Sequence, residues 1–120
     1  MKLEYFKINE FDSPDLPNSG INMDSNFLSM LDNARHIAQI PFKINSGFRT
    51  KEWNEKLPDA KPKSSHLIGK AADISVKNSR ERWIILNALI QVGFNRIGIA
   101  NTFIHVDSDQ NKSSNVIWIY

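Results

Sequence analysis

The chain has 120 residues, of which 41% are hydrophobic and 23% charged, with a formal net charge of +2. That length suits a single domain, read here as 1–120, and excludes two full domains or a doubly wound dinucleotide fold. Cysteine is absent, which rules out disulfide staples, thiol catalysis and cysteine-ligated zinc, so any metal site must draw on His, Asp and Glu.

Residues 1–23 are turn-rich, with Pro14, Pro17 and Gly20 spaced by polar residues, and Tyr5, Phe6 and Phe11 are expected to pin this segment to the core. Asp24 or Ser25 can cap a helix running to about residue 38. Phe27, Met30, Leu31, Ala34 and Ile37 fall at helical spacing and are its expected buried stripe. Pro41 ends that helix, and residues 42–45 alternate as a short strand. Ser46-Gly47-Phe48-Arg49-Thr50 reads as a turn with a glycine hinge, followed by a short helix over 51–56 and an exposed loop over 57–65. Residues 71–76 alternate as a strand. Ser79 is the expected cap of a second long helix, with Trp83, Leu86, Leu89 and Ile90 inward and Gly93 as its stop. Residues 96–100, 103–107 and 116–120 read as strands, with Asn101-Thr102 as a tight hairpin turn lacking the usual glycine. The sum predicts an α+β domain with helices on one side of a mainly antiparallel sheet. No run of about 18 apolar residues predicts a transmembrane helix. The opening Met1-Lys2-Leu3-Glu4-Tyr5-Phe6-Lys7 has no apolar stretch of the secretory kind, so no signal peptide is expected.

The histidines are His36, His66 and His105. His36 stands beside Arg35 with no acid placed to complete a site, and reads as a surface residue. The other two gain meaning from the pleat. In the strand after Gly69, Ala72, Ile74 and Val76 share one face, so Asp73 points the other way. In the later strand, Ile104 and Val106 are the apolar set, so His105 and Asp107 point away from the core. If the strands are neighbours, Asp73 and His105 project from one sheet face, and His66 can fold back over them with Gly69 permitting the turn. Two imidazoles and one carboxylate with a free fourth position suit a catalytic zinc site. The small residues Gly98, Ala100 and Ala71 would leave room for a ligand. The spacing fits equally two unrelated surface histidines beside ordinary strand carboxylates.

Between residues 43 and 77 the cations outnumber the acids Glu52, Glu55, Asp59 and Asp73. This reads as a solvated, slightly cationic face or as steering toward a polyanion such as cell wall. No nucleic-acid motif or aromatic–basic platform accompanies it, so nucleic acid is not an expected partner.

At these residues the chain resembles a known family. Ser65-His66-x-x-Gly69-x-Ala71-x-Asp73, followed by His105-x-Asp107, is similar to the signature of zinc D-alanyl-D-alanine carboxypeptidases and related murein endopeptidases, which share their fold with the Hedgehog signalling domain. Ser46-Gly47-Phe48-Arg49-Thr50, with Asn54 shortly after, is similar to the family's S-G-[YF]-R-[ST] segment. Phe103-Ile104-His105-Val106-Asp107 and then Trp118 resemble its F-[VI]-H-[VI]-D…W close, and Phe6-Lys7-x-x-Glu10-Phe11 resembles short members, several of them encoded by bacteriophages. The resemblance runs from about Tyr5 to Trp118, with its motifs in the family's order.

The resemblance implies His66, Asp73 and His105 as ligands of Zn2+. It implies Arg49 as the group that binds a substrate carboxylate or polarises the scissile carbonyl, unless it only makes a structural salt bridge. Ser65 would position substrate or cap its turn. The chemistry implied is metal-assisted amide hydrolysis, in which a carboxylate takes a proton from water and hands it to the leaving amine. Many members carry Glu or Asp three positions before the last histidine ligand, where this chain has Thr102. Asp107, on the strand face of His105, is therefore assigned as the catalytic base, with orientation of a ligand as its other role. Asp109 is a further candidate.

The function implied is a D,D-carboxypeptidase or murein endopeptidase acting on the peptide stems or cross-links of bacterial peptidoglycan. The expected setting is a monomer made in the cytoplasm without a signal peptide, reaching the wall after release of the phage-lysis (endolysin) type. Lysines between Lys56 and Lys70 would help hold an anionic wall. Thr102 supports a second reading, a non-catalytic zinc-containing binding or phage structural module of the same fold. Retention of Arg49 beside the three metal-binding residues speaks against it.

Overall fold

A computed structural model describes residues 2–120. Helix α1 (Ser25–Ala38) starts where expected, with the Asp24 carboxylate accepting the Phe27 N–H at 2.9 Å. It closes on Gln39 in the left-handed region, φ 58°, before Pro41. Its buried line is Phe27, Leu31 and Ala34, flanked by Leu28. The expected stripe is corrected at one end: Ile37 is 41% exposed because it lies on the flank of that line, on the side of half-buried Met30. Asp32 is buried on α1 and accepts the backbone N–H groups of Glu4 and Tyr5 at 2.9 and 3.0 Å, which anchors the N-terminal segment. Phe6 and Phe11 are buried in the core, while Tyr5 lies outside it and bonds to exposed His36.

A five-stranded sheet follows: β1 (Ile44–Ser46), β2 (Ala71–Ser75), β3 (Arg96–Ile99), β4 (Phe103–Asp107) and β5 (Val116–Ile119), in spatial order β1-β2-β4-β3-β5. Each neighbouring pair is antiparallel except β3 and β5, which run parallel. β1 begins later than expected because Phe42 turns into the core instead of pairing. The β3–β4 hairpin closes with Ala100 N–H to the Phe103 carbonyl at 3.0 Å. Neither Asn101 nor Thr102 has a positive φ, so that turn needs no glycine. The short helix α2 (Lys51–Glu55) is capped by the Thr50 hydroxyl.

Helix α3 (Ser79–Gln91) is capped by Asn78, whose side chain accepts the Glu81 N–H at 2.9 Å, and not by Ser79. The inward set is also corrected. Ile85, Ala88 and Leu89 are buried, with Leu86 packed beside them, whereas Trp83 is 66% and Ile90 49% exposed. α3 packs against α1, and its buried Ile85, Ala88 and Leu89 share one core with Phe27, Leu28, Leu31 and Ala34 of α1. Both helices lie on the sheet face formed by Ala72, Ile74, Ile97, Ile104 and Val106. The fold is α+β with a mostly antiparallel sheet, as expected. Among the described residues, no helix is long and apolar enough to cross a membrane.

Candidate metal centre

The face of the sheet away from the helices carries the polar residues. Strand register lines them up in one row: Ser46 opposite Asp73, Asp73 opposite His105, His105 opposite Gly98, and Gly98 opposite Trp118. His66 joins this row from a 3-10 turn, Ser65–Ile68, that ends on Gly69 at φ +71°. A Cβ at Gly69 would stand 2.3 Å from the Asn22 carbonyl oxygen, so close approach as well as handedness demands glycine there.

His66, Asp73 and His105 each offer one ligand atom, all within 4.8 Å of one another. Gly47 can only accept through its carbonyl, so His66 Nδ1–H donates to it at 2.7 Å, and the lone pair of Nε2 is left 3.4 Å from Asp73 Oδ1. His105 Nδ1 lies 2.8 Å from the same Asp73 oxygen, and its Nε2 lies 2.7 Å from Asp107 Oδ2. Each imidazole thus has one nitrogen held by the surrounding protein and the other turned to Asp73. That is the arrangement in which an outer partner fixes the tautomer of a metal-binding histidine. Two imidazole nitrogens and a carboxylate oxygen match zinc better than calcium or magnesium. The residues present therefore fit a zinc ion.

The electrostatics agree with that fit at His66 and Asp73. Burial pushes the His66 imidazole down in pKa, against the pull of Asp73, which keeps it neutral as a ligand must be. Burial raises Asp73, but the His105 and His66 rings beside it outweigh that and hold the carboxyl well below the usual range. Burial lowers His105, yet its bonds to Asp107 and Asp73 prevail and raise it.

Arg49 follows β1 and is oriented by three contacts. Its Nε donates to Ser46 Oγ at 2.9 Å, Nη1 to Asn54 Oδ1 at 3.4 Å, and Nη2 to Asp73 Oδ2 at 3.4 Å. Asn54 is buried and also donates to the Lys61 carbonyl at 3.0 Å, tying α2 to the loop after it. Burial lowers the Arg49 pKa from its ordinary value, against the pull of Asp73, but a guanidinium remains charged. It lines a cleft of about 740 Å³ together with His66, Asp73, His105, Trp118 and Tyr120.

The remaining expected site residues are placed differently. Asp107 is 1% exposed. Its Oδ1 accepts Arg96 Nε at 2.7 Å and the Asp109 N–H at 3.1 Å, while Oδ2 takes the His105 Nε2 side. Both oxygens are engaged, on the side of His105 away from Asp73, so the geometry favours orientation of His105 over the role of base. Asp109 is buried too, bonded to Ser65 Oγ at 2.7 Å and the Asn111 N–H at 3.0 Å. The Ser65 hydroxyl donates to Asp109 and accepts from Lys112 Nζ at 2.9 Å, so it is already committed within the protein. Thr102 sits in the β3–β4 turn and lines a neighbouring hollow.

The room expected above Gly98 is filled. A Cβ there would lie 2.5 Å from Trp118 Nε1 and 2.8 Å from Tyr120 Cε2, so glycine admits these rings rather than a ligand. Trp118 in turn lies 5.5 Å from the His105 ring and 5.1 Å from the Arg96 guanidinium carbon. Ala71 is fully buried and adds no space. Arg96 was missed by sequence reasoning although alternation with Gly98 puts it on the site face, and Lys112 carried no pattern that could reveal it. Among the described residues, every buried side-chain nitrogen or oxygen has a hydrogen-bond partner.

A family model described as Peptidase M15 matches residues 4–107. No curated protein matches the chain.

Proposed function

The chain belongs to the peptidase M15 family of zinc peptidases, and from that membership we propose that it hydrolyses amide bonds in the peptide stems or cross-links of bacterial peptidoglycan. The observation that carries the proposal is the His66–Asp73–His105 donor set facing a cleft that also holds Arg49. In this reading His66 through Nε2, Asp73 through Oδ1 and His105 through Nδ1 would hold the zinc ion. Zinc, when bound, supplies a Lewis acid and makes water acidic enough to yield hydroxide near neutral pH.

The protein's own groups supply the rest. Gly47 and Asp107 fix the tautomers, so both ligand lone pairs face the same point. Arg49, held by Ser46 and Asn54, binds a substrate carboxylate or the carbonyl to be cleaved, and its forked donors suit either. Asp107 acts as a positioning residue for His105, and Arg96 keeps its carboxylate in place. Delivery to the wall in the manner of a phage lysis enzyme is part of the proposal, supported by the likeness of Phe6-Lys7-x-x-Glu10-Phe11 to short phage-encoded members. A non-catalytic zinc-containing module is the second reading, favoured by Thr102 and by the enclosure of Asp107.

Purified peptidoglycan incubated with the zinc-loaded protein, beside a chelated control, separates the two. Metal-dependent release of peptide fragments, weighed by mass spectrometry, is the expected result and names the bond. Intact wall with zinc bound at one equivalent would overturn the peptidase reading in favour of the module.

A further inference from the structure

Ser65, Asp109 and Lys112 form a polar cluster outside the His66, Asp73 and His105 set, and Ser65 and Lys112 line the cleft. Ser65 is 2% exposed and Asp109 4%. The Ser65 hydroxyl gives its proton to Asp109 Oδ2 at 2.7 Å and accepts an N–H from Lys112 Nζ at 2.9 Å. That ammonium stands 3.6 Å from Asp109 Oδ2, and the Lys112 side chain is 35% exposed and lines the same cleft as Arg49. A lysine on a surface loop ordinarily wanders over many rotamers. Here two buried partners hold it, and an ammonium has three N–H donors, so donor capacity remains for the cleft.

We propose that Lys112 binds a carboxylate of the peptide substrate, with Ser65 and Asp109 as the positioning residues that hold its ammonium. This rests on the reading of the cleft as a peptidase site, and it narrows the substrate class. Arg49, Lys61, Arg96 and Lys112 line the cleft; Arg96 is spent on Asp107 and the Ser113 carbonyl, while Arg49 and Lys112, one after β1 and one after β4, are held in place with N–H donors to spare. A peptide that uses both carries an acidic group beside the bond that is cut, separate from the group that Arg49 engages. The substrate contact that the resemblance offered Ser65, as the alternative to capping its turn, passes to Lys112, because Ser65 is enclosed and Lys112 is not. Lys112 lies after the matched span of residues 4–107, so the family match does not account for it. It is also the one cation in residues 108–115, whose one acid is Asp109.

The test uses the zinc-loaded protein and two peptides that differ only in a free carboxylate or a carboxamide beside the scissile residue. An uncleavable pair, N-methylated at the scissile amide, is titrated by calorimetry, and a cleavable pair is followed kinetically. Wild-type protein should bind the carboxylate peptide about tenfold more tightly, with the difference shrinking as salt rises. Lys112→Met should remove the preference and Lys112→Glu should reverse it, through KM rather than kcat. Lys112→Arg, which keeps the charge, should retain it even if the methionine variant fails to fold. Equal affinity of the wild-type protein for both peptides, or a preference that survives in Lys112→Met, would overturn the proposal. Failure of the wild-type protein to bind or cut either peptide would overturn the peptidase reading and this inference with it.

Discussion

The strand pair β2–β4 has two faces built from alternate residues of the same segments. Ala72, Ile74, Ile104 and Val106 meet the helices on one side, while Asp73, His105 and Asp107 meet the cleft on the other. The first face is held by volume and exclusion of water, which tolerate exchanges of similar size. The second is held atom by atom. Both nitrogens of His105 and both oxygens of Asp107 have assigned partners. Removing one partner there leaves a buried polar group uncompensated, and shape alone cannot replace it. One backbone alternation thus separates a region that sets stability from a region that sets chemistry.

Substitutions on the two faces should have different signatures. Phe27→Ala, in the fully buried line of α1, should lose about 3–5 kcal/mol of stability in denaturant unfolding. A loss under about 1 kcal/mol would mean the helix face carries less of the fold than its burial suggests. His105→Ala should retain cooperative unfolding but lose tight zinc binding in a calorimetric titration, by about a hundredfold or more; undiminished affinity would remove it from the ligand set. Asp107→Asn distinguishes the two roles open to that residue. As a positioning residue it should lower zinc affinity about 10–100-fold, whereas a base would leave affinity intact and cost only turnover. At the small end, Trp83→Ser on the exposed side of α3 should change stability by no more than about 0.5 kcal/mol. A larger loss would show that the outer face of α3 contributes to the core.

What the sequence revealed follows the range of the interactions concerned. Alternation in β2 and β4 is a backbone property, so the shared face of Asp73 and His105 was readable before any partner was known. The αL turn at Gly69 was equally local. The inward face of α3 was not, since Trp83 and Ile90 compete with Ile85, Ala88 and Leu89, and the choice depends on contact with α1. Gly98 looked like open space until parallel β5 placed Trp118 and Tyr120 over it. Asp107 could be put on the correct strand face, but its enclosure depends on Arg96 from β3 and the backbone N–H of Asp109. Lys112 depends on a loop meeting the buried hydroxyl of Ser65, far away in the chain, and no periodicity announces such a meeting.

The central claim is that three side chains, presented in fixed tautomers on one sheet face, hold a single zinc ion. Anomalous diffraction from a zinc-loaded crystal at the metal's absorption edge tests it directly. The account predicts one strong peak about 2.0–2.2 Å from His66 Nε2, Asp73 Oδ1 and His105 Nδ1, with His105 Nε2 still bonded to Asp107. A peak bound through His105 Nε2, or one that leaves out any of the three side chains, would contradict it.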